Sequence, residues 1–522
     1  SAAARHPVKV AIVSHSHSRR RARTMSYGQL ARLVDRAACA FICLGIARGE
    51  IISLQLPNDV EMPILALAAM RAGAIPNPIP PIYRETEVSF MLGHARSRLF
   101  VVPDRFRGFA HADLALKLKE DLATLEHVFV TGERAGEPHD LDDAILSYPW
   151  ELEEGLMDEL ERRRPDADDI AVLLFTSGTT GTPKAALHSH NSICSAGYAL
   201  PAALSLTQDD VCFMASTMGH LTGFYWGMLL PLSMGQKVVY QDLWDPVQMP
   251  ELIEGEGISW TLSATPFAMD LVESSRQVRR DLSSLRAFAC GGAPIPPQGA
   301  IDVHEATGTN LISLWGCTEV GICSIHQLGT PLQTLAASDG MQVDRVELRI
   351  VDEDLQTVAE GDEGRVQVRG PGIFLGYLRQ PERTAELCTP DGWYDTGDRG
   401  RRVPDGGIRI SGRTKDIIIR GGQNIPVVEI ENALQQMRNV REVAVIGIPD
   451  PRLGERGCAV IVADGDPPTL DDVRAQLSGM SKQFWPEYLE IIETMPRTPA
   501  GKIQKFELRK RFDHLGRPQA QA

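Results

Sequence analysis

The sequence has no Cys-x-x-Cys pair, and its nine cysteines, an odd number, are spread from Cys39 to Cys458. A zinc ribbon or a disulfide framework needs closely spaced, even sets, so neither organises this chain, and a reducing cytosol is the default compartment. Cys39 and Cys43 stand four apart in a helical pattern and read as two buried small apolar side chains. No apolar run reaches the roughly 18 residues of a membrane-spanning helix. The best candidate, 62–75, is interrupted by Arg71, and the stretch 224–232 is short and meets Pro231. No signal-peptide pattern precedes the first strand candidate, 8–13. That strand begins so early that a few residues of the natural N-terminus are expected to be missing. Positive charge is in deficit: 53 Lys and Arg against 68 Asp and Glu leave a net charge of −15. This argues against general nucleic-acid binding and against a basic membrane-surface protein. It does not exclude small anionic ligands, which local groups hold.

What is present is ordinary for a globular protein, with 43% apolar and 23% charged residues over 522 positions. That length suggests about three domain-sized units. Ser26-x-x-Gln29 is a capping box, and Leu30, Leu33, Val34, Ala37, Phe41 and Leu44 follow at helical spacing as far as Gly45. Strand candidates then recur at 51–56, 99–102, 128–131, 170–176, 237–240, 260–263, 287–290 and 311–315. Several are apolar on both faces, as buried parallel strands are, and their alternation with helical stretches implies α/β layers. After residue 340 the candidates 346–351, 365–369, 408–411 and 416–420 are short and split by Gly, Pro and Asp, which reads as a small antiparallel sheet or barrel. A last unit, from about 415, mixes the strands 443–448, 458–463 and 489–492 with two or three helices.

The most informative segment runs from Leu174 through Thr176-Ser177-Gly178-Thr179-Thr180-Gly181-Thr182-Pro183-Lys184. A buried strand ends, glycines free the backbone N–H groups, hydroxyls add donors and a lysine adds charge. That combination makes a phosphate cradle. It is not the Walker pattern, because Pro183 stands where that pattern needs Gly. A generic stretch of this composition would be an ordinary surface loop, but the full string is far more specific.

The string closely resembles the signature of the adenylate-forming superfamily, which includes acyl-CoA synthetases, nonribosomal-peptide adenylation domains and luciferases. Further matches follow in the family's order. Trp315-Gly316-Cys317-Thr318-Glu319 resembles the family's Tyr-Gly-x-Thr-Glu, with Trp in place of the usual Tyr. The resemblance implies that Thr318 contacts the α-phosphate and the substrate carboxylate, and that Glu319 is a ligand of Mg²⁺. Gly291-Gly292-Ala293-Pro294 resembles the small-residue segment beside adenine and the acyl pocket. The Asp398 that ends Tyr394-Asp395-Thr396-Gly397-Asp398 matches the ribose acceptor. Arg413 matches the arginine of the ribose and phosphate region, and Lys415 the interdomain hinge. Gly421-Gly422 matches the loop that meets the pantetheine arm, and Lys502 in Pro499-Ala500-Gly501-Lys502 the catalytic lysine. His220 matches a position bordering the carboxylate, its alternative being a core histidine with one backbone hydrogen bond.

The resemblance implies an α/β fold. Its large N-terminal domain, 1–414, has two α/β layered subdomains plus a small β-barrel, and a small mobile α+β domain, 415–522, carries the lysine. It implies ATP, Mg²⁺ and CoA, and an acyl-CoA synthetase making acyl-AMP and then a thioester. The alternative is a stand-alone adenylation enzyme that loads a carrier-protein thiol. A luciferase-like oxygenase and a non-enzymatic binding relative are the remaining readings, and the latter would show broken motifs. Gly219-His220-Leu221 offers no acid to pair an ammonium, which favours a simple carboxylic acid. Phe224, Tyr225, Trp226, Thr265, Pro266 and Trp315 are expected to line a compact apolar pocket for an alicyclic, aromatic or medium-chain acid, the chain looking most like cyclohexanecarboxylate-type ligases. The context Pro496-x-x-x-x-Gly501-Lys502 also resembles that in which a lysine acetyltransferase modifies related synthetases, so Lys502 is a candidate acetylation site. A homodimer is left open. The charge is uneven: 415–522 balances 15 basic against 15 acidic residues, so the whole deficit lies in 1–414.

Overall fold

A computed structural model describes residues 2–17, 21–132, 139–176, 183–292, 297–413, 418–420, 423–425, 427–450, 454–478, 480, 482–498 and 501–516. A nine-stranded sheet forms the largest layer. Its middle is parallel and runs from Asn310–Cys317 through Ala287–Cys290, Trp260–Ser263, Val211–Met214 and Lys237–Gln241 to Val10–Ser16. Trp260–Ser263 and Ala287–Cys290 are buried at every position, because helices cover both faces of a parallel sheet. A second parallel layer orders Ile75–Pro78, Ile51–Leu54, Leu99–Pro103 and His127–Thr131. Beside the edge strand Ile75–Pro78 of that layer lies a small antiparallel sheet of Gly376–Tyr377, Lys184–Ser189 and Ile170–Thr176.

The helix Tyr27–Cys43 starts at the expected capping box: Ser26 Oγ accepts from Gln29 N–H, and Gln29 accepts from Ser26 N–H. Gly45 takes φ +78°, a left-handed value open to glycine, and ends the helix. The paired-cysteine expectation is corrected here. Cys39 is buried but Cys43 is exposed, because it is the last helical residue, where the chain leaves its packing partners through Leu44 and Gly45. All nine cysteines are free thiols. Among the described residues no helix is long and apolar enough to cross a membrane.

The unit after residue 340 is a four-stranded antiparallel sheet of Glu347–Val351, Gly364–Arg369, Tyr394–Arg402 and Ile408–Arg413. The strand expected at 416–420 does not join it. Ile418–Arg420 pairs instead with Gln423–Ile425 and with Gly454–Ala463, in the C-terminal sheet. There Val440–Asp450 and Gly454–Ala463 form a long hairpin, with Tyr488–Ile491 parallel to the latter. Helices Val427–Gln435 and Leu470–Gln476 serve one core of this unit, and Lys505–Phe512 the other.

Candidate active site

Every layer contributes a loop to one cleft of about 880 Å³. Thr176 ends one strand and Lys184 opens the next, directly opposite it in register, and both line the cleft. Ser177, Gly178, Thr179 and Thr180 lie outside the described residues. The Lys184 ammonium sits 5.2 Å from the centre of the Tyr377 ring.

Thr318 and Glu319 occupy the tight turn between Asn310–Cys317 and Gly321–Ile325. Glycine is needed on both sides of it. A Cβ at Gly316 would lie 1.8 Å from the Gly321 carbonyl oxygen, and one at Gly321, whose φ is +77°, 2.3 Å from that of Ala196. Glu319 is buried yet reaches the cleft, and its Oε1 accepts a hydrogen bond from the Tyr377 hydroxyl at 2.7 Å. Burial pushes the Tyr377 phenol well above its ordinary range and the Glu319 charge adds to this, so it stays a donor at neutral pH.

Trp315 is buried behind the cleft wall, and its indole N–H donates to Asp398 Oδ2 at 2.9 Å. Asp398 is buried with it, while its neighbours Asp395, Thr396 and Gly397 line the cleft. The Arg413 backbone pairs with Asp398 at the end of its strand. The Arg413 side chain and Lys415, Gly421, Gly422, Ala293 and Pro294 lie outside the described residues.

Gly291 and Gly292 line the cleft, and Lys502 crosses over Gly292, its Cε 3.4 Å from where a Cβ would stand. A compact loop presents Lys502: Thr498 N–H donates to the Lys502 carbonyl at 2.7 Å, and Gly501 N–H to that of Thr498 at 2.9 Å. The C-terminal unit thus closes one wall of the cleft with a cation.

His220 lines the same cleft and feels the Lys502 charge. Its carbonyl accepts from Phe224 N–H at 2.8 Å, but its Nε2 is buried and has no partner among the described residues. Burial, helped by the Lys502 charge, pushes its pKa down to about 4. The imidazole is therefore neutral at physiological pH and can offer one donor and one acceptor. The depressed value also has a stability consequence. Between about pH 6.5 and 4 the unfolded chain binds this proton and the folded one does not, so stability is full above 6.5 and falls on acidification. His220→Gln should remove about 2 kcal/mol of that acid-side loss, read from urea curves at pH 7 and pH 4.5. Superimposable pH dependences of the two proteins would contradict it.

Of the six residues expected on the acyl wall, only Trp226 lines the cleft. The reason is the π-helix Thr222–Leu229, whose wide turns put Thr222 and Trp226 on the cleft side. Phe224 lies in the core, and the Tyr225 hydroxyl bonds the Cys194 carbonyl at 3.1 Å. Thr265 faces the Cys290 sulfur at 3.6 Å, and Pro266 opens a helix. Leu221, Leu262, Phe267 and Leu314 supply the apolar wall instead. The sequence reading also missed Tyr377. It lies on a two-residue strand, and its only local signal is the aromatic company of Phe374.

Residues 1–378 match the model of the AMP-binding enzyme family, and 429–502 that of the AMP-binding enzyme C-terminal domain. Over 509 residues the chain is 35% identical to a medium-chain fatty-acid–CoA ligase of Escherichia coli (strain K12), covering 97% of this chain and 88% of that protein. It is 30% identical over 497 residues to a 2,3-dihydroxybenzoate-AMP ligase of Bacillus subtilis (strain 168), covering 93% and 88%. The anthranilate CoA ligase AuaEII, solved with anthranoyl-AMP, superposes with a TM-score of 0.85 at 26% identity, over 96% of this chain and 94% of that one. With both its large and its small part matched, the chain belongs to the AMP-binding enzyme family.

Proposed function

We propose that the protein is an ATP-dependent acid–CoA ligase for an alicyclic, aromatic or medium-chain carboxylic acid. The observation that carries this is the convergence of Lys184, Thr318, Glu319 and Lys502 on one cleft with an apolar wall and no ammonium-pairing acid at 219–221. A carboxylate is a poor electrophile, and ATP addresses this. A carboxylate oxygen attacks the α-phosphorus, the bond to pyrophosphate breaks, and an acyl-AMP anhydride forms. The sulfur of CoA then attacks the acyl carbon, the carbon–oxygen bond to AMP breaks, and the thiol proton passes to solvent.

Catalysis of the first step is mostly positioning and charge stabilisation. Lys184, Thr176 and the hydroxyls of Ser177, Thr179 and Thr180 hold the outer phosphates. Thr318 faces the α-phosphate, and Lys502 stabilises charge as it moves toward pyrophosphate. Neutral His220 donates to the acid's carboxylate without adding charge, which suits its partnerless buried nitrogen. Asp398 and Arg413 serve the ribose side. A Mg²⁺ ion would neutralise phosphate charge, and Glu319 fits it as a carboxylate with one oxygen engaged by Tyr377. The domain boundary falls at 414/415, and rotation about Lys415 exchanges Lys502 for the Gly421-Gly422 loop between the two steps.

A second reading, transfer to a carrier-protein thiol, rests on the likeness to a ligase named for AMP and not for CoA. Pyrophosphate release across a panel of carboxylic acids, with and without CoA, tests both. Acid-dependent release with a thioester formed on CoA is expected. Acid-dependent release with no thioester unless a carrier protein is supplied would replace the first reading by the second. No release with any acid would remove both.

A further inference from the structure

The turn that carries Thr318 and Glu319 is gripped from a sheet far from it in sequence. On the strand Lys184–Ser189 side chains alternate, so Lys184, Ala186 and His188 share a face. Tyr377 pairs with Ala186 and stands on that same face. The Lys184 ammonium lies over the Tyr377 ring at 5.2 Å, the diagonal contact this register allows. Tyr377 donates its hydroxyl hydrogen to Glu319 Oε1 at 2.7 Å. His188, fully buried, holds the other half of the turn, its Nε2 lying 2.7 Å from the Thr318 carbonyl oxygen. A carbonyl can only accept, so Nε2 carries the hydrogen. The Ser192 hydroxyl, 3.0 Å from Nδ1, supports that tautomer. Phe374 N–H completes the grip on the Glu319 carbonyl at 2.8 Å.

One strand pair therefore meets the proposed phosphate cation, the proposed metal carboxylate and the backbone between Thr318 and Glu319. The Tyr377 ring also stands beside the Lys184 ammonium while its hydroxyl engages Glu319, which keeps cation and carboxylate at a set spacing. We infer that His188 and Tyr377 are positioning residues for adenylate formation, fixing Thr318 and Glu319 relative to Lys184 through one face of the small sheet. This rests on the adenylation reading of the cleft. His188 lies behind the cleft lining and Tyr377 at its edge, and both act through Thr318, Glu319 and Lys184.

The test separates the half-reactions. Tyr377→Phe keeps the ring and loses the donor, His188→Ala loses the carbonyl grip, and His188→Gln keeps a donor of similar reach. In full-length protein, kcat for acid-dependent pyrophosphate release should fall roughly 10- to 100-fold in Tyr377→Phe and His188→Ala. KM for ATP should stay within about threefold, and His188→Gln should recover most of the loss. Binding of α,β-methylene-ATP, which needs no turnover, should change by less than about threefold, and acyl transfer from supplied acyl-AMP by less than about twofold. A merely structural defect would lower both half-reactions together. A parallel fall, no fall, or His188→Gln matching His188→Ala overturns the inference while leaving the adenylation reading standing. A wild-type protein that releases pyrophosphate with no acid removes that reading, and the inference falls with it.

Discussion

Lys502→Ala should lower acid-dependent pyrophosphate release by roughly 1,000-fold, the scale of losing a charge-stabilising donor in a preorganised site. Thioester formation from supplied acyl-AMP should fall by less than about threefold. The asymmetry follows from where the lysine sits. Its side chain passes over Gly292, with Cε 3.4 Å from where a Cβ would stand, and its loop is held by the Thr498 and Gly501 hydrogen bonds. The first step moves negative charge onto pyrophosphate, and a cation there is worth more in the transition state than in the ground state. The second step attacks the acyl carbon and expels AMP with no pyrophosphate leaving, and another face of the small domain is proposed to be present for it. Lys502→Arg should not rescue, because a planar guanidinium spreads over three nitrogens the charge that the ammonium presents at one point. Equal loss of both half-reactions would defeat the two-position account.

Arg23→Ala should destabilise the large domain by about 3–5 kcal/mol, read as a lowered urea midpoint. Arg23 reaches from the edge strand Arg21–Ser26 to the start of the helix Glu61–Arg71. Its two terminal nitrogens donate to the two oxygens of Glu61 at 2.7 and 2.6 Å, and one of them also meets Asp59. Asp59 and Glu61 are only 2% and 5% exposed, so removing the guanidinium takes away a counter-charge that two buried carboxylates share. The consequence should reach function. Asp59, which also accepts from Ser14 Oγ at 2.6 Å, directly follows Pro57 and Asn58 on the cleft wall. Arg23→Lys should recover only part of the stability, because an ammonium cannot make the paired fork to Glu61. A variant within about 1 kcal/mol of the wild type would show that this cluster is solvated in solution.

Elements that announce themselves locally were legible. The strands Ile170–Thr176, Trp260–Ser263 and Ala287–Cys290 stand where short apolar runs bounded by polar or glycine residues place them. The strand Tyr394–Arg402 was read only as a motif. It carries two glycines and five charged residues, and it is a strand because Gly364–Arg369 and Ile408–Arg413 flank it. The acyl wall failed for a related reason. Residues 224–226 are all apolar or aromatic, and composition cannot say which of them a π-helix turns toward the cleft.

By itself the sequence determined the α/β class, the absence of an apolar membrane run, and the order of motifs that marks an AMP-binding enzyme. Each of these depends on residue type and short-range spacing, which a chain carries in any conformation. Only the tertiary structure decided that Lys502 lies over Gly292, that the Trp315 indole is spent on Asp398, and that His188 and Tyr377 grip one turn from a neighbouring sheet. Those contacts join residues from 58 to 210 positions apart. Their distances are set by how sheets and helices pack, and no local pattern encodes them.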